Sequence, residues 1–525
     1  MSVFELVIAL LLVGAVLSVV ARRINAPYPA LLALAGAALA LLPNAPSVSL
    51  DPELALTLLV APVLLDAAFD SSPRDLKQNW RAVTSLALVA VGVTVVAVAV
   101  VARWIIPDLP WAAAVVLGAI VAPPDAAAAT AVLRQLRPPH RVLVILEGES
   151  LFNDASALLI YRLAVSAAAT GAFAGWRAVP MLVLVAVGSA ALGAALSRVT
   201  IWLAPRITDV AIAVIIQFLS TFAVWMLAER LHLSGIIAVV VFAILVAREV
   251  PDLISGRLRI QSYAVWEVVV FVLNVLAFIL IGLQLKPILA RLSRAELTTY
   301  AGAALAILGA VIVVRIAWVV LHSAVSRLRG ARIRTGEAAV VAWCGMRGIV
   351  TLATALALPD GDPATAFPYR GFILFAAFCV VLGTLVVQGM TVRPLMRALE
   401  LHDDGSVERE VRLARSETAR AGLAAVESTE SDADLIEFLR RKYAARLRHA
   451  EVGGAAGDDP ELDGWRDYSA VLRRAQAEER RTLSELRAQG VIGDDAFHQV
   501  EEELDWSEVN GQARGIALDG DSRAG

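Results

Sequence analysis

Between residues 3 and 397 the chain is built from about thirteen apolar runs, each long enough to cross a core of about 30 Å as a helix rising 1.5 Å per residue. They lie near residues 3–21, 28–43, 52–69, 81–105, 110–134, 141–169, 178–204, 209–229, 234–250, 262–286, 298–326, 335–358 and 369–397. The chain is therefore expected to be an all-α polytopic membrane protein. Its composition agrees: of 525 residues 58% are hydrophobic and 18% charged, with a mean hydropathy of +0.70, too apolar for a water-soluble core. The first run is preceded by no basic segment, so it reads as a retained helix and not as a cleaved signal.

Charge between the runs predicts an orientation. Alternate loops hold Arg22, Arg23, Arg74, Lys77, Arg81, Arg134, Arg137, Arg141, Arg198, Arg206, Arg248, Arg257, Arg259, Arg327, Arg329, Arg332 and Arg334, 17 in all. The opposite loops hold 7: Arg103, Arg177, Arg230, Lys286, Arg291, Arg294 and Arg370. Short cytoplasmic loops accumulate Lys and Arg, which puts the first set and the C-terminus in the cytoplasm and the N-terminus outside. After about residue 398 the apolar runs stop and charge becomes dense, as in Asp434–Tyr443, a stretch with amphipathic helical spacing. We read residues 1–398 as the membrane domain and 399–525 as a helical cytoplasmic tail, with a linker at Gly453–Pro460 and a turn at Gly490–Asp495.

Other function classes lose ground on composition. A net charge of −3 gives no reason to expect nucleic acid, the six histidines lack metal-site spacing, and Cys344 and Cys379 both lie in apolar runs, as packing residues do. No cofactor is expected. An intramembrane enzyme would need a nucleophile with its base or a set of metal ligands, and the runs contain neither.

Three polar interruptions carry the functional reading. In the fifth run, Pro123 and Pro124 precede Asp125 and remove two backbone donors, so a continuous helix is excluded there. In the twelfth, Gly345 and Gly348 flank Met346-Arg347 and permit an unwound backbone around a buried cation. Interruptions seven runs apart are what two six-helix inverted repeats joined by a linking helix would produce, and such pairs point to a transport site. The third interruption is in the sixth run, where Ser150, Asn153 and Asp154 stand at i, i+3 and i+4 and share a face that presents three oxygens to a small hard cation.

A carboxylate in the middle of a membrane run is costly and marks an ion or proton path. Glu147, two turns before Asp154, belongs to a candidate cytoplasmic funnel. Asp66 in the third run is a ligand or an interfacial acid. Arg315 is surrounded by apolar residues and needs an anion, for which Glu149 is the candidate, leaving Asp154 free to exchange its proton.

The stretches Gly148-Glu-Ser-Leu-Phe-Asn-Asp-Ala155, Gly345-Met-Arg-Gly-Ile-Val350, Pro62-Val-Leu-Leu-Asp-Ala67 and the Asp125 of the broken helix resemble those of the monovalent cation:proton antiporter-1 family, which includes the animal sodium/hydrogen exchangers. The resemblance implies a Na⁺ site at Asp154, Asn153, Ser150 and Asp66, an ion pair between Glu149 and Arg315, two broken helices crossing at Asp125 and Arg347, and a homodimer. Many relatives carry threonine where this chain has Pro124, so no hydroxyl is available there and the preference between Na⁺, Li⁺ and K⁺ is open. With Asn153 in place of a second acid, one titrating carboxylate remains, and the family-consistent expectation is electroneutral one-for-one exchange in the plasma membrane. A burial that disfavours the ionised carboxylate and a bound Na⁺ that favours it make proton and cation mutually exclusive. The rival class is a channel or membrane sensor, against which the paired broken helices and the single competing carboxylate speak.

Overall fold

The computed structural model describes residues 3–24, 26–43, 51–170, 178–329, 334–360 and 367–428, with scattered positions from 436 to 506. Contacts divide the chain into two units, 1–404 and 405–525. The first unit opens with α1 (Val3–Ile24), α2 (Tyr28–Ala40) and α3 (Pro52–Leu54), which runs through a π-helical turn into α4 (Ala61–Phe69). Then come α5 (Pro73–Thr84), a second π turn, α6 (Val91–Ile105), α7 (Trp111–Val121), α8 (Ala126–Leu133), α9 (His140–Thr170) and α10 (Ala178–Leu203). The unit continues with α11 (Val210–Arg230), α12 (Gly235–Leu253), α13 (Gly256–Leu283), α14 (Leu285–Leu289), α15 (Arg294–Leu328), α16 (Thr335–Trp343), α17 (Ile349–Leu356) and α18 (Arg370–Ala398).

Every one of the thirteen apolar runs is helical, and two contain the breaks expected of them. Among the described residues eight helices are long and apolar enough to cross a membrane on length and composition. The rest fall short for physical reasons that bear on function. The run at 335–358 is two half-helices, α16 and α17, whereas that at 110–134, one of the eight, is likewise broken, into α7 and α8. Helix α9 carries Arg141, Glu147, Glu149, Asp154 and Arg162 within 31 residues, which lowers its mean hydropathy.

Burial locates the centre. Most of α7 and α18 is enclosed, while α1, α10 and α11 present residues such as Leu12, Leu184 and Leu219 on open outer faces, as lipid-facing helices do. Packing relies on small residues where backbones meet. Gly36 of α2 and Gly282 of α13 lie against each other's main chains, and a Cβ on either would strike backbone atoms. Without a hydrophobic driving force between helices in lipid, such close approach is what van der Waals attraction requires.

Helix starts follow local capping rules. Ser293 and Glu296 form a reciprocal capping box at the start of α15, and Ser72, Asp209, Ser234 and Ser255 each accept a backbone N–H at the start of α5, α11, α12 and α13. In the second unit α19 spans Ser406–Glu427. Ile436, Glu437, Leu439, Arg440, Arg441, Tyr443 and Ala444 are helical, and Glu437 pairs with Arg440 and Arg441 at 2.9 and 2.8 Å. The start of the predicted helix at Asp434, the Gly453–Pro460 linker and the Gly490–Asp495 turn lie outside the described residues, as do Arg177 and Arg332.

Candidate functional site

The break between α7 and α8 is made by what proline lacks. In a helix the carbonyls of Ala119 and Ile120 would accept from residues 123 and 124, and both of these are prolines without an N–H. The last carbonyls of α7 are served from elsewhere. Arg347, 1% exposed, donates through Nε to the Val121 carbonyl at 2.9 Å and through Nη2 to that of Ala122 at 3.1 Å. A guanidinium also suits the partial negative charge at a helix C-terminus. On the other side of the break Asp125 caps α8, its Oδ1 accepting from the Ala127 N–H at 2.9 Å.

The second break, residues 344–348 between α16 and α17, meets the first. The Asp125 N–H donates to the Met346 carbonyl at 2.7 Å, and the Arg347 N–H donates to Thr384 Oγ1 of α18 at 3.1 Å. Nη1 of Arg347 also donates to the Gly345 carbonyl. Gly348 is packed on the Asp125 carboxylate and Gly345 on the Arg315 side chain, so a Cβ on either has no room. Arg315 does for α16 what Arg347 does for α7: its Nη2 donates to the carbonyls of Val341 and Cys344 at 3.0 and 3.3 Å. Its charge is matched by Glu149 in a two-point pair at 2.5 and 2.8 Å, with the side chains 4% and 1% exposed. Removing one member of such a buried pair costs about 3–5 kcal/mol, because the other is left charged and alone.

Helix α9 supplies the remaining groups, and it divides them between two tasks. Ser150 Oγ accepts the Ala126 N–H at 3.2 Å, and Asn153 Nδ2 donates to the Pro124 carbonyl at 2.8 Å. Both side chains thus hold the backbone of the α7–α8 break. The three-oxygen face expected from the i, i+3, i+4 spacing is therefore partly committed. Asn153 Oδ1 is fully buried and has no partner among the described residues.

Asp154 has a different outlook. It is 8% exposed, makes no ion pair among the described residues, and lines a cavity of about 10 Å³ between α7, α9 and α17. That is about the room one water occupies. Ala119, Ile120, Pro123, Val350 and Thr354 are among the other lining residues, whereas Ser150, Asn153 and Asp66 do not line it. Thr354 is the group that sequence reasoning passed over.

Asp66 has charged neighbours of its own. Its charged neighbours are Asp70, Arg134 and Glu267, with Trp266 in hydrogen-bonding range. Arg134 in turn pairs with Glu147 at 3.2 Å and lies 3.9 Å from Asp70. Asp66, Asp70, Arg134 and Glu147 thus form one mixed-charge cluster, and Glu147 sits in it two turns before Asp154.

Two discontinuous helices whose breaks interlock beside an unpaired buried carboxylate define the architecture of a secondary antiporter. The fold is that of the sodium proton antiporter from Methanocaldococcus jannaschii, whose electron-microscopy structure matches with a TM-score of 0.63 at 19% identity, covering 76% of this chain and 98% of that one. The family model described as "Sodium/hydrogen exchanger, transmembrane" matches residues 7–398, and the chain belongs to that family. Among curated relatives, an uncharacterised Na⁺/H⁺ exchanger of Mycobacterium tuberculosis is 31% identical over 97% of this chain and 96% of its own. A sodium, potassium, lithium and rubidium/H⁺ antiporter of Bacillus pumilus is 29% identical over 86% of this chain and 70% of its own. The protein is a multi-pass membrane protein of a cation/proton antiporter family.

Proposed function

We propose that this chain exchanges Na⁺ for H⁺ by alternating access, with Asp154 as the carboxylate that proton and cation share. The observation that carries the reading is the isolation of Asp154: the other buried charges of the centre are spent on helix ends or on each other, and this one faces a cavity of ion size. Binding a cation there requires the ionised carboxylate and protonation displaces it, so each turnover carries one or the other. Movement of one helical bundle against another around the site converts this exclusion into exchange.

The finer points belong to the same proposal. Asn153 leaves one titrating group, which supports electroneutral one-for-one exchange. Ser150 and Asn153 position the break, the Asn153 Oδ1 is available as a ligand, and Asp66 with Glu147 belongs to the approach to the site. Thirteen spans in two inverted repeats, an external N-terminus, a cytoplasmic tail, a plasma-membrane location and a homodimer complete the reading. The contact boundary at 404/405 supports a membrane domain separate from the tail. K⁺/H⁺ exchange is the second reading, favoured by the four-cation name of the Bacillus pumilus relative and by Pro124.

The test is Na⁺-dependent proton flux in proteoliposomes, followed with a pH dye. Asp154→Asn is expected to abolish exchange while the protein still inserts, and retained flux refutes the assignment. Flux in the unaltered protein is expected to ignore an imposed membrane potential. Acceleration by potential would rule out electroneutral exchange.

A further inference from the structure

We propose that Thr354 is a ligand of the transported cation, supplying from α17 the neutral side-chain oxygen that position 124 lacks in this chain. The proposal rests on the antiport reading and adds a residue to it. A cavity of about 10 Å³ admits one bare ion or one water and excludes a hydrated ion, so protein oxygens must replace the hydration shell. Na⁺ is a hard cation, and its ligands should be carboxylate, hydroxyl or carbonyl oxygen.

The inventory of such oxygens is short. Asp154 and Thr354 supply the polar side chains of the lining, and they come from different helices, α9 and α17. Ser150 Oγ accepts the Ala126 N–H, and Asn153, whose Oδ1 has no partner among the described residues, is outside the lining of this cavity, as Ser150 is. Thr354 is 6% exposed and closely enclosed. Its carrier, α17, begins at the break that holds Arg347, so a cation bound between Asp154 and Thr354 ties α9 to the second broken helix as well as to the first.

The experiment is a cation titration of full-length protein in proteoliposomes, fitting KM and maximal rate separately for Na⁺, Li⁺ and K⁺. Thr354→Val keeps the shape and removes the oxygen. It is expected to raise the Na⁺ KM by about tenfold, the value of one good ligand bond near 1.4 kcal/mol, and to change the Na⁺ to K⁺ ratio. Thr354→Ser is expected to stay within about twofold, because the oxygen remains. Thr351→Val, a change at a buried threonine of α17 away from the cavity, serves as the control. Unaltered KM values and selectivity in Thr354→Val overturn the proposal, as does a serine variant as impaired as the valine one, which would make the site one of packing.

Should the valine variant fail to accumulate, Thr354→Ser is compared with Thr354→Cys, which exchanges hard oxygen for soft sulfur in the same place. A higher Na⁺ KM for the cysteine supports the proposal, and equal values overturn it. Absence of cation-dependent flux in the unaltered protein would instead overturn the antiport reading itself.

Discussion

Asn153 donates its amide proton to the Pro124 carbonyl at 2.8 Å, which gives a neutral side chain at this position a structural reason besides charge counting. An ionised aspartate has no proton to donate and would set acceptor against acceptor. Asn153→Asp is therefore expected to cost about 1–3 kcal/mol of stability, seen as a lower thermal unfolding temperature than that of the unaltered protein. An unchanged unfolding temperature would show that the Pro124 contact does not matter.

At the scale of elements, the breaks are set by groups that lie far apart along the chain. Pro123-Pro124 and the glycines around Arg347 mark where two helices stop, and these marks are local, so they were legible in the sequence. The partners were not. Arg347 serves a carbonyl 226 residues away and Arg315 pairs across 166, distances over which helical spacing says nothing. The Glu149–Arg315 pair was inferred by matching an isolated cation to a spare acid. Nothing comparable directed attention to Thr354, because a threonine in an apolar helix carries no charge to be explained. Asp66, which its residue type alone left as a ligand or an interfacial acid, has Asp70 and Arg134 among its charged neighbours, and no helical spacing announces them.

The turn after α14 and the loop after α17 are clipped together outside the apolar runs. Asp360 accepts from Arg291 at 2.8 Å and lies 3.2 Å from Arg370, and the Arg291 hydrogen bond holds its carboxyl below the ordinary carboxylate value. A carboxylate lowered in the folded state stabilises above its unfolded pKa, and that help is lost only as pH falls through the lower folded value. Asp360→Asn should therefore lower the unfolding temperature by the same small amount at about pH 5 and about pH 8, since unfolded aspartate titrates near 3.9. A penalty confined to one of the two values would contradict this.

For the molecule as a whole, all the groups assigned to binding or to the breaks lie in the unit 1–404. A chain ending after Asp404 should insert and exchange with a cation KM within about twofold of the full protein, one ordinary surface change being worth less than 0.5 kcal/mol. Flux measurements on both forms check this, and loss of exchange in a stably inserted short form would assign the tail a part in turnover. The proline pair has one more consequence, and it concerns time. A helix distorted by a bound ion heals when the ion leaves, and must be distorted again on each cycle. One interrupted by two imides stays interrupted whether a proton or a cation is aboard. On the proposed exchange, the carbonyls of Ala119 and Ile120 thus remain without helical donors in both halves of the cycle. Reloading then involves no refolding of the main chain, and the reorganisation that would otherwise slow each exchange has been built in when the protein folds.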